Sequence, residues 1–375
     1  FDGEGISTQQ TSELMLFKIR HTTPEPVIYR MLNDELIHFL EASINATRFS
    51  KGMFSDSLKE TIWSNSKTKD AFKALWDTIR PLDVTERQRL HDEIESKQDL
   101  PIRLTDRSST LPDVNDDFRN AIKTLTGHLF SATSKLTGIE AASGQTVKQH
   151  YDSFINENGK VCCACGSKEI TEHRTGITIE EQWRGPYDHY LAHKHYPYYG
   201  THPENLIPCC DVCNSKAKHE KDLIHSDEAQ TTRRLAFYPT IEAGHPCVEF
   251  KVEFGATSLK AYVELSSNLP DTSEKLETWD TIYSIKSRIS GKFSDLMTIL
   301  DTDCSKPESL DQLRANLNRE AETLAPVPRS EPYHFWKHKL YTWLAALGDP
   351  DLKHIYNALL ARRDDAAAMR VYGLD

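Results

Sequence analysis

The chain lacks any run of eighteen apolar residues, so no membrane-spanning helix is expected in it. It also lacks a basic arm. The formal net charge is −11, and residues 1–150, 151–235 and 236–375 are each net acidic. A protein that grips duplex DNA by charge alone shows a basic surface, so the balance argues against autonomous, high-affinity DNA binding. It leaves room for a local basic groove, or for a partner that supplies the grip. No internal repeat and no low-complexity tract is present. No secretory leader is visible in a sequence whose first residue is Phe1. Cysteines are not dispersed as in a disulfide framework. Of eight, six lie between Cys162 and Cys213, and only Cys247 and Cys304 stand apart. Clustered Cys-x-x-Cys pairs favour metal thiolates in a reducing compartment, hence a cytoplasmic location.

What is present divides into three stretches. The 375 residues leave room for one large core or two to three smaller ones. Residues 1–150 read as a helical N-terminal domain. Residues 1–24 show no period, but Val27, Ile28, Met31, Leu32, Leu36, Phe39 and Leu40 recur at helical spacing. Further helices are expected over 71–79, from a cap near Thr85, over 116–136 and over 147–155, with 99–114 as a loop. Residues 151–235 form the cysteine-rich module. In 236–375 the period changes to two: Val248, Phe250, Val252 and Phe254, then Leu259, Ala261, Val263 and Leu265. With Gly255 between them, these runs predict a β-hairpin. One long helix is expected over 276–289. Pro326, Pro328 and Pro332 mark a break, an aromatic helix follows over 335–347, and a last helix covers 352–362. The aromatic stripe of the 335–347 helix reads as core packing.

The chemistry lies between residues 162 and 218. Zinc takes four soft ligands in a tetrahedron, and Cys162, Cys165, Cys210 and Cys213 supply them as two knuckles. Cys163 and Cys209 are off register, and either is an alternative ligand. A four-cysteine site is coordinatively closed and therefore structural. Asp188-His189 lies between the knuckles, and Asn214 follows the second.

The stretch GPYDHYLAHKHYPYYGTHPENLIPCCDVCNSKAK resembles the HNH nuclease family, built on a ββα-metal finger. The match rests on Asp188-His189, on Asn205-Leu206 and on Cys210, Cys213, Asn214 and Lys216 in the residues that follow. The expected fold class is α+β: a mostly α-helical protein with a central zinc-stabilised ββα-metal finger and a short β-hairpin after it. The resemblance implies an endonuclease that hydrolyses DNA, leaving a 5′ phosphate and a 3′ hydroxyl. His189 would be its general base. Asp188 and Asn214 would hold a catalytic Mg²⁺ or Mn²⁺, since hard oxygen ligands suit such ions. Asn205 would hold the loop that orients His189. Lys216 and Lys218 would contact nucleic acid, although solvent-facing lysines are common. Where the family often has Pro-Lys after the Asp-His pair, this chain has Ala192-His193, and His193 is a further candidate contact. His219 lies just over one turn beyond Asn214. His173, His195 and His202 read as surface or packing residues. HNH proteins of this size and layout resemble effectors of bacterial anti-phage or restriction systems, paired with an ATPase or sensor. A single centre cuts both strands only by homo-oligomerising or by two visits. The alternative is a non-catalytic zinc ribbon that binds nucleic acid or protein.

Overall fold

The computed structural model describes residues 16–20, 26–172, 174, 176, 184–241, 244–255, 259–304, 306–325 and 329–371. Residues 1–15 and 21–25, His173, Pro326 and Pro328 lie outside the described residues. No described helix is long and apolar enough to cross a membrane.

Eight helices come first: α1 (Val27–Ser43), α2 (Lys59–Ser64), α3 (Ser66–Ile79), α4 (Val84–Glu95), α5 (Leu100–Thr105), α6 (Asp116–Ser131), α7 (Thr137–Ser143) and α8 (Val147–Asn158). α1, α3, α4, α6 and α8 answer the expected helical stretches, whereas α2, α5 and α7 were not expected. α1 buries Ile28, Leu32, Leu36, Phe39 and Leu40 on one face. Asn115 caps α6 by accepting from the Phe118 amide at 2.9 Å, and Asp116 and Asp117 sit in its first turn, where the helix dipole favours negative charge. Thr146 and Gln149 close a reciprocal capping box on α8. Two expectations are corrected. The cap of α4 is Asp83, not Thr85. The 99–114 loop contains α5, because Asp99 caps it and Pro101 occupies a first-turn position that lacks an intrahelical partner anyway.

The central stretch carries a small antiparallel hairpin, β1 (Tyr187–His189) with β2 (Leu206–Pro208), in the register Asp188 opposite Ile207 and His189 opposite Leu206. A short π-helix, Val212–Lys218, follows. The second hairpin, β3 (Val248–Phe254) with β4 (Leu259–Leu265), pairs Phe254 with Leu259, as the alternation predicts. Then come α9 (Pro270–Tyr283), α10 (Ile285–Lys292), α11 (Leu296–Asp303), α12 (Leu310–Leu324), α13 (His334–Ala345) and α14 (Asp349–Val371). The single helix expected over 276–289 is two. Ser284 adopts φ 54°, and Asp280 takes both its amide, on the backbone carbonyl, and the Lys286 amide, on the side chain. α11 and α12 carry no signal in the sequence reading.

One continuous apolar core runs from Leu16 to Leu359 through all three stretches. The first cysteine knuckle lies within it. The backbone carbonyls there are taken from outside: Cys163 by the Phe17 amide, Ala164 by the Trp279 indole at 2.9 Å, Cys165 by the Trp336 indole at 2.8 Å, and Gly166 by the Tyr333 amide. Trp336 is therefore both core and hydrogen-bond donor, which the aromatic stripe alone does not reveal. Gly166 has φ 61°, and a Cβ there would stand 2.5 Å from Leu16, so only glycine fits the turn.

Candidate metal centre and adjoining cleft

The sulfurs of Cys162, Cys165, Cys210 and Cys213 lie within 4.8 Å of one another, and all four residues are buried. A Zn–S bond of about 2.3 Å sets tetrahedral sulfurs about 3.8 Å apart. Cys165 and Cys210 stand at 3.9 Å. The quartet thus fits a structural zinc ion on donor chemistry and spacing. Cys209 touches Cys162 at 3.6 Å without joining the quartet, and burial drives the Cys163 thiol far above its ordinary range. Hydrogen bonding with neighbouring thiols holds Cys162 well below the usual thiol pKa, and Cys210 falls to about 5, first through its bond with Cys162. Cys165 is lowered as well, while hydrogen bonding to Cys162 and the other thiols raises Cys213 well above the ordinary value, so the charge is shared unevenly over the quartet; the thiolate is the form that metals bind. The cluster's surroundings donate to it as well. Arg288 of α10 reaches Cys213 at 3.3 Å, and the Ser167 hydroxyl reaches Cys165 at 3.2 Å. No pattern along the sequence marks Arg288, which lies 75 residues from its sulfur.

β1 turns successive side chains to opposite faces. Tyr187 and His189 face Phe130 of α6, with the His189 and Phe130 ring centroids 4.7 Å apart. Asp188 faces the other way. Its Oδ1 accepts from Lys218 Nζ at 2.7 Å, and its Oδ2 accepts from the Tyr283 hydroxyl at 3.1 Å. Lys218 is 1% exposed and also donates to the His189 carbonyl. This corrects its expected place as a nucleic-acid contact. The π-helix closes with the His219 amide on the Asn214 carbonyl, five residues back, and its last lysine turns inward onto Asp188. Lys216 is exposed on the same helix.

His189 Nε2 lies 3.0 Å from the Gly200 carbonyl. A carbonyl only accepts, so Nε2 carries the proton and Nδ1 keeps its lone pair. Burial lowers the His189 pKa to about 4, which keeps the ring neutral at pH 7. Asn205, fully buried, accepts from the Leu191 amide and donates to the Leu191 and Tyr199 carbonyls, so one side chain spans the loop between the strands. His193 meets the Thr126 hydroxyl at 2.9 Å, and burial lowers its pKa to about 4. His195 reaches the Glu220 carbonyl, and His202 caps the turn before Asn205. Farther along, Tyr196, His225 and Gln230 converge on Asp222. Burial alone would raise the Asp222 pKa, but these hydrogen bonds outweigh it and lower it. This network, unforeseen from the sequence, ties the loop to the chain beyond the π-helix.

Asp188, His189, Ala192, His193, Asn214 and Lys218 line one open cleft of about 190 Å³, with His219 at its rim. The cleft brings together the Asp, His and Asn that the sequence singles out. The expected second cation fits less well than zinc. Each Asp188 oxygen already accepts one hydrogen bond, from an ammonium and from a hydroxyl, and among the described residues no further His, Cys, Asp or Glu group there is arranged to hold a metal. A divalent ion at Asp188 would have to share the carboxylate with the Lys218 ammonium, whose like charge opposes it.

No family model, curated protein or solved structure matches this chain.

Two predictions follow from these buried groups. Lys218→Met should destabilise the protein by about 3–5 kcal/mol, because it strands a buried carboxylate. Adding Asp188→Asn should restore much of that loss, and denaturant midpoints for the two singles and the double measure it. The second concerns acid. His150 and His202 are buried, and desolvation lowers their pKa values to about 4 and about 3. Unfolding releases them to about 6.5. Between those values the unfolded chain binds more protons, so the stability present above pH 6.5 is lost as the pH falls toward 4 and then 3. For His150 the loss is on the order of 3 kcal/mol. Urea midpoints should fall steadily below pH 6.5, and His150→Phe should flatten the upper part of that fall.

Proposed function

We propose that this chain is an endonuclease of the HNH type, hydrolysing phosphodiester bonds of DNA beside a structural zinc cluster. The observation that carries the reading is the single cleft lined by Asp188, His189 and Asn214, next to the knuckle that precedes Asn214. His189 would be the general base. Its neutral ring, fixed by Gly200, offers Nδ1 to a water proton. The water oxygen then bonds to phosphorus, the bond to the 3′ oxygen breaks, and that oxygen leaves with the electron pair and takes up a proton. Asn205 holds the loop that frames His189. When bound, zinc supplies no chemistry at the phosphate; it fixes the knuckles that place Asn214. The acidic net charge gives DNA little long-range attraction, so we assign recruitment to a protein partner such as an ATPase or sensor, as in a bacterial defence system. Plasmid nicking in Mg²⁺ or Mn²⁺, compared between the native protein and His189→Ala, tests the reading.

A second reading has its own support. The cluster able to hold a metal is the feature the structure carries most directly, and Asp188 is neutralised internally by Lys218. A zinc-held module that binds nucleic acid or protein without cutting needs nothing more. DNA binding that survives His189→Ala, with no nicking by either form, selects it.

A further inference from the structure

α6 belongs to the N-terminal helical stretch, yet one of its faces walls the cleft. Lys123, Thr126, Gly127 and Phe130 recur at i, i+3, i+4 and i+7, which places them on one side of the helix. Each of the four meets the central module. Phe130 packs its ring on His189. Thr126 bonds His193 at 2.9 Å and the Pro197 carbonyl at 3.0 Å. Gly127 lies against the His193 ring. The approach is close because the facing residue is Gly200, where a Cβ would lie 2.7 Å from the His193 ring and 2.8 Å from the Thr126 hydroxyl. The helix is therefore held in a fixed relation to His189.

Lys123 is the fourth member, at the cleft itself. Its charge differs from the others there. Lys194 is paired with Glu220 at 2.9 Å, and Lys218 is buried against Asp188. Lys123 is exposed and has no ion-pair partner among the described residues. Glu220, which lines the same cleft, feels the Lys123 charge but makes its close ion pair with Lys194. An ammonium without a close ion pair of its own, on a helix that cannot swing away, suits a ligand with fixed negative charge.

We propose that Lys123 binds a backbone phosphate of a DNA strand beside the one placed at His189, so that α6 forms the second wall of the substrate groove. This rests on the nuclease reading for its substrate class. It assigns a nucleic-acid contact to a helix outside the cysteine-rich module, in place of the buried Lys218.

The test measures binding separately from cleavage. A short fluorescein-labelled DNA duplex is titrated, by anisotropy at several salt concentrations, with full-length His189→Ala protein and with the same protein carrying Lys123→Ala or Lys123→Arg. Zinc content and melting temperature serve as folding controls, and Lys123 is exposed, so both should be unchanged. Lys123→Ala should weaken binding roughly 3- to 10-fold and reduce the slope of log K against log salt by about 0.9. Lys123→Arg should keep the slope. Loss of slope in a protein that never nicks DNA supports the contact while removing the nuclease reading. Affinity and slope unchanged by Lys123→Ala, or no DNA binding by the parent, overturns the contact. In a protein that does nick plasmid, the same unchanged result leaves the nuclease reading standing.

Discussion

Stripping the metal from the four-cysteine cluster should unfold this protein rather than merely silence it. Structural zinc contributes an apparent 10–16 kcal/mol in small zinc domains, roughly the whole stability of a globular protein. Here the quartet lies inside the core, and its first knuckle surrenders backbone carbonyls to Phe17, Trp279, Tyr333 and Trp336. Without the ion, close-packed thiolates repel one another or must take up protons, and the knuckle loses the shape those donors read. One zinc per chain is expected by elemental analysis. A strong chelator should abolish the cooperative melt, and Cys210→Ser or Cys165→Ser should yield aggregated or zinc-free protein. Cys304→Ser is the control: Cys304 is buried but lies outside the quartet, so zinc content should be unchanged and the melting temperature should move little. A chelated protein that melts at the native temperature would show that the cysteines pack as ordinary thiols.

The second large effect is on rate. Removing a general base costs typically 10²–10⁴-fold, so on the proposed nuclease reading His189→Ala should reduce nicking by about that factor with zinc content intact. The pH profile carries more information. Burial disfavours the charged form of His189 and lowers its pKa to about 4. The active form is the neutral ring, so activity limited by this group should persist down to about pH 5 and fall below about pH 4. An acid limb near 6.5 would mean that His189 is solvated in the working enzyme. Acid unfolding through His150 and His202 overlaps this range, so rates must be read against the folded fraction at each pH.

Where the sequence was legible, the signal was local. Two knuckles of fixed spacing marked the quartet, strict alternation marked β3 and β4, and Asp-His with a downstream Asn marked the cleft. What escaped depends on closure over distance or on exceptional backbone. Ser284 splits α9 from α10 at a positive φ that a non-glycine residue does not advertise. Lys218 reads as a surface lysine at α-helical spacing, and only a π-helix turns it onto Asp188. Arg288, Trp279 and Trp336 serve the cluster from 75 residues or more away, and no pattern along the chain links a tryptophan to a carbonyl that distant. Nothing along the chain sets Lys123 apart from the other polar positions of amphipathic α6. Its place beside the cleft depends on the small residues Gly127 and Gly200, which let α6 close on the loop.

The central claim is that a zinc-held scaffold here presents His189 to a phosphodiester. Nicking of supercoiled plasmid by native and His189→Ala proteins of equal zinc content, with Mg²⁺ or Mn²⁺ present, tests it most directly. The account predicts open-circular product bearing 5′ phosphate from the native protein and at least a hundredfold less from the variant. Equal nicking by both, or plasmid bound and left intact by both, would contradict it.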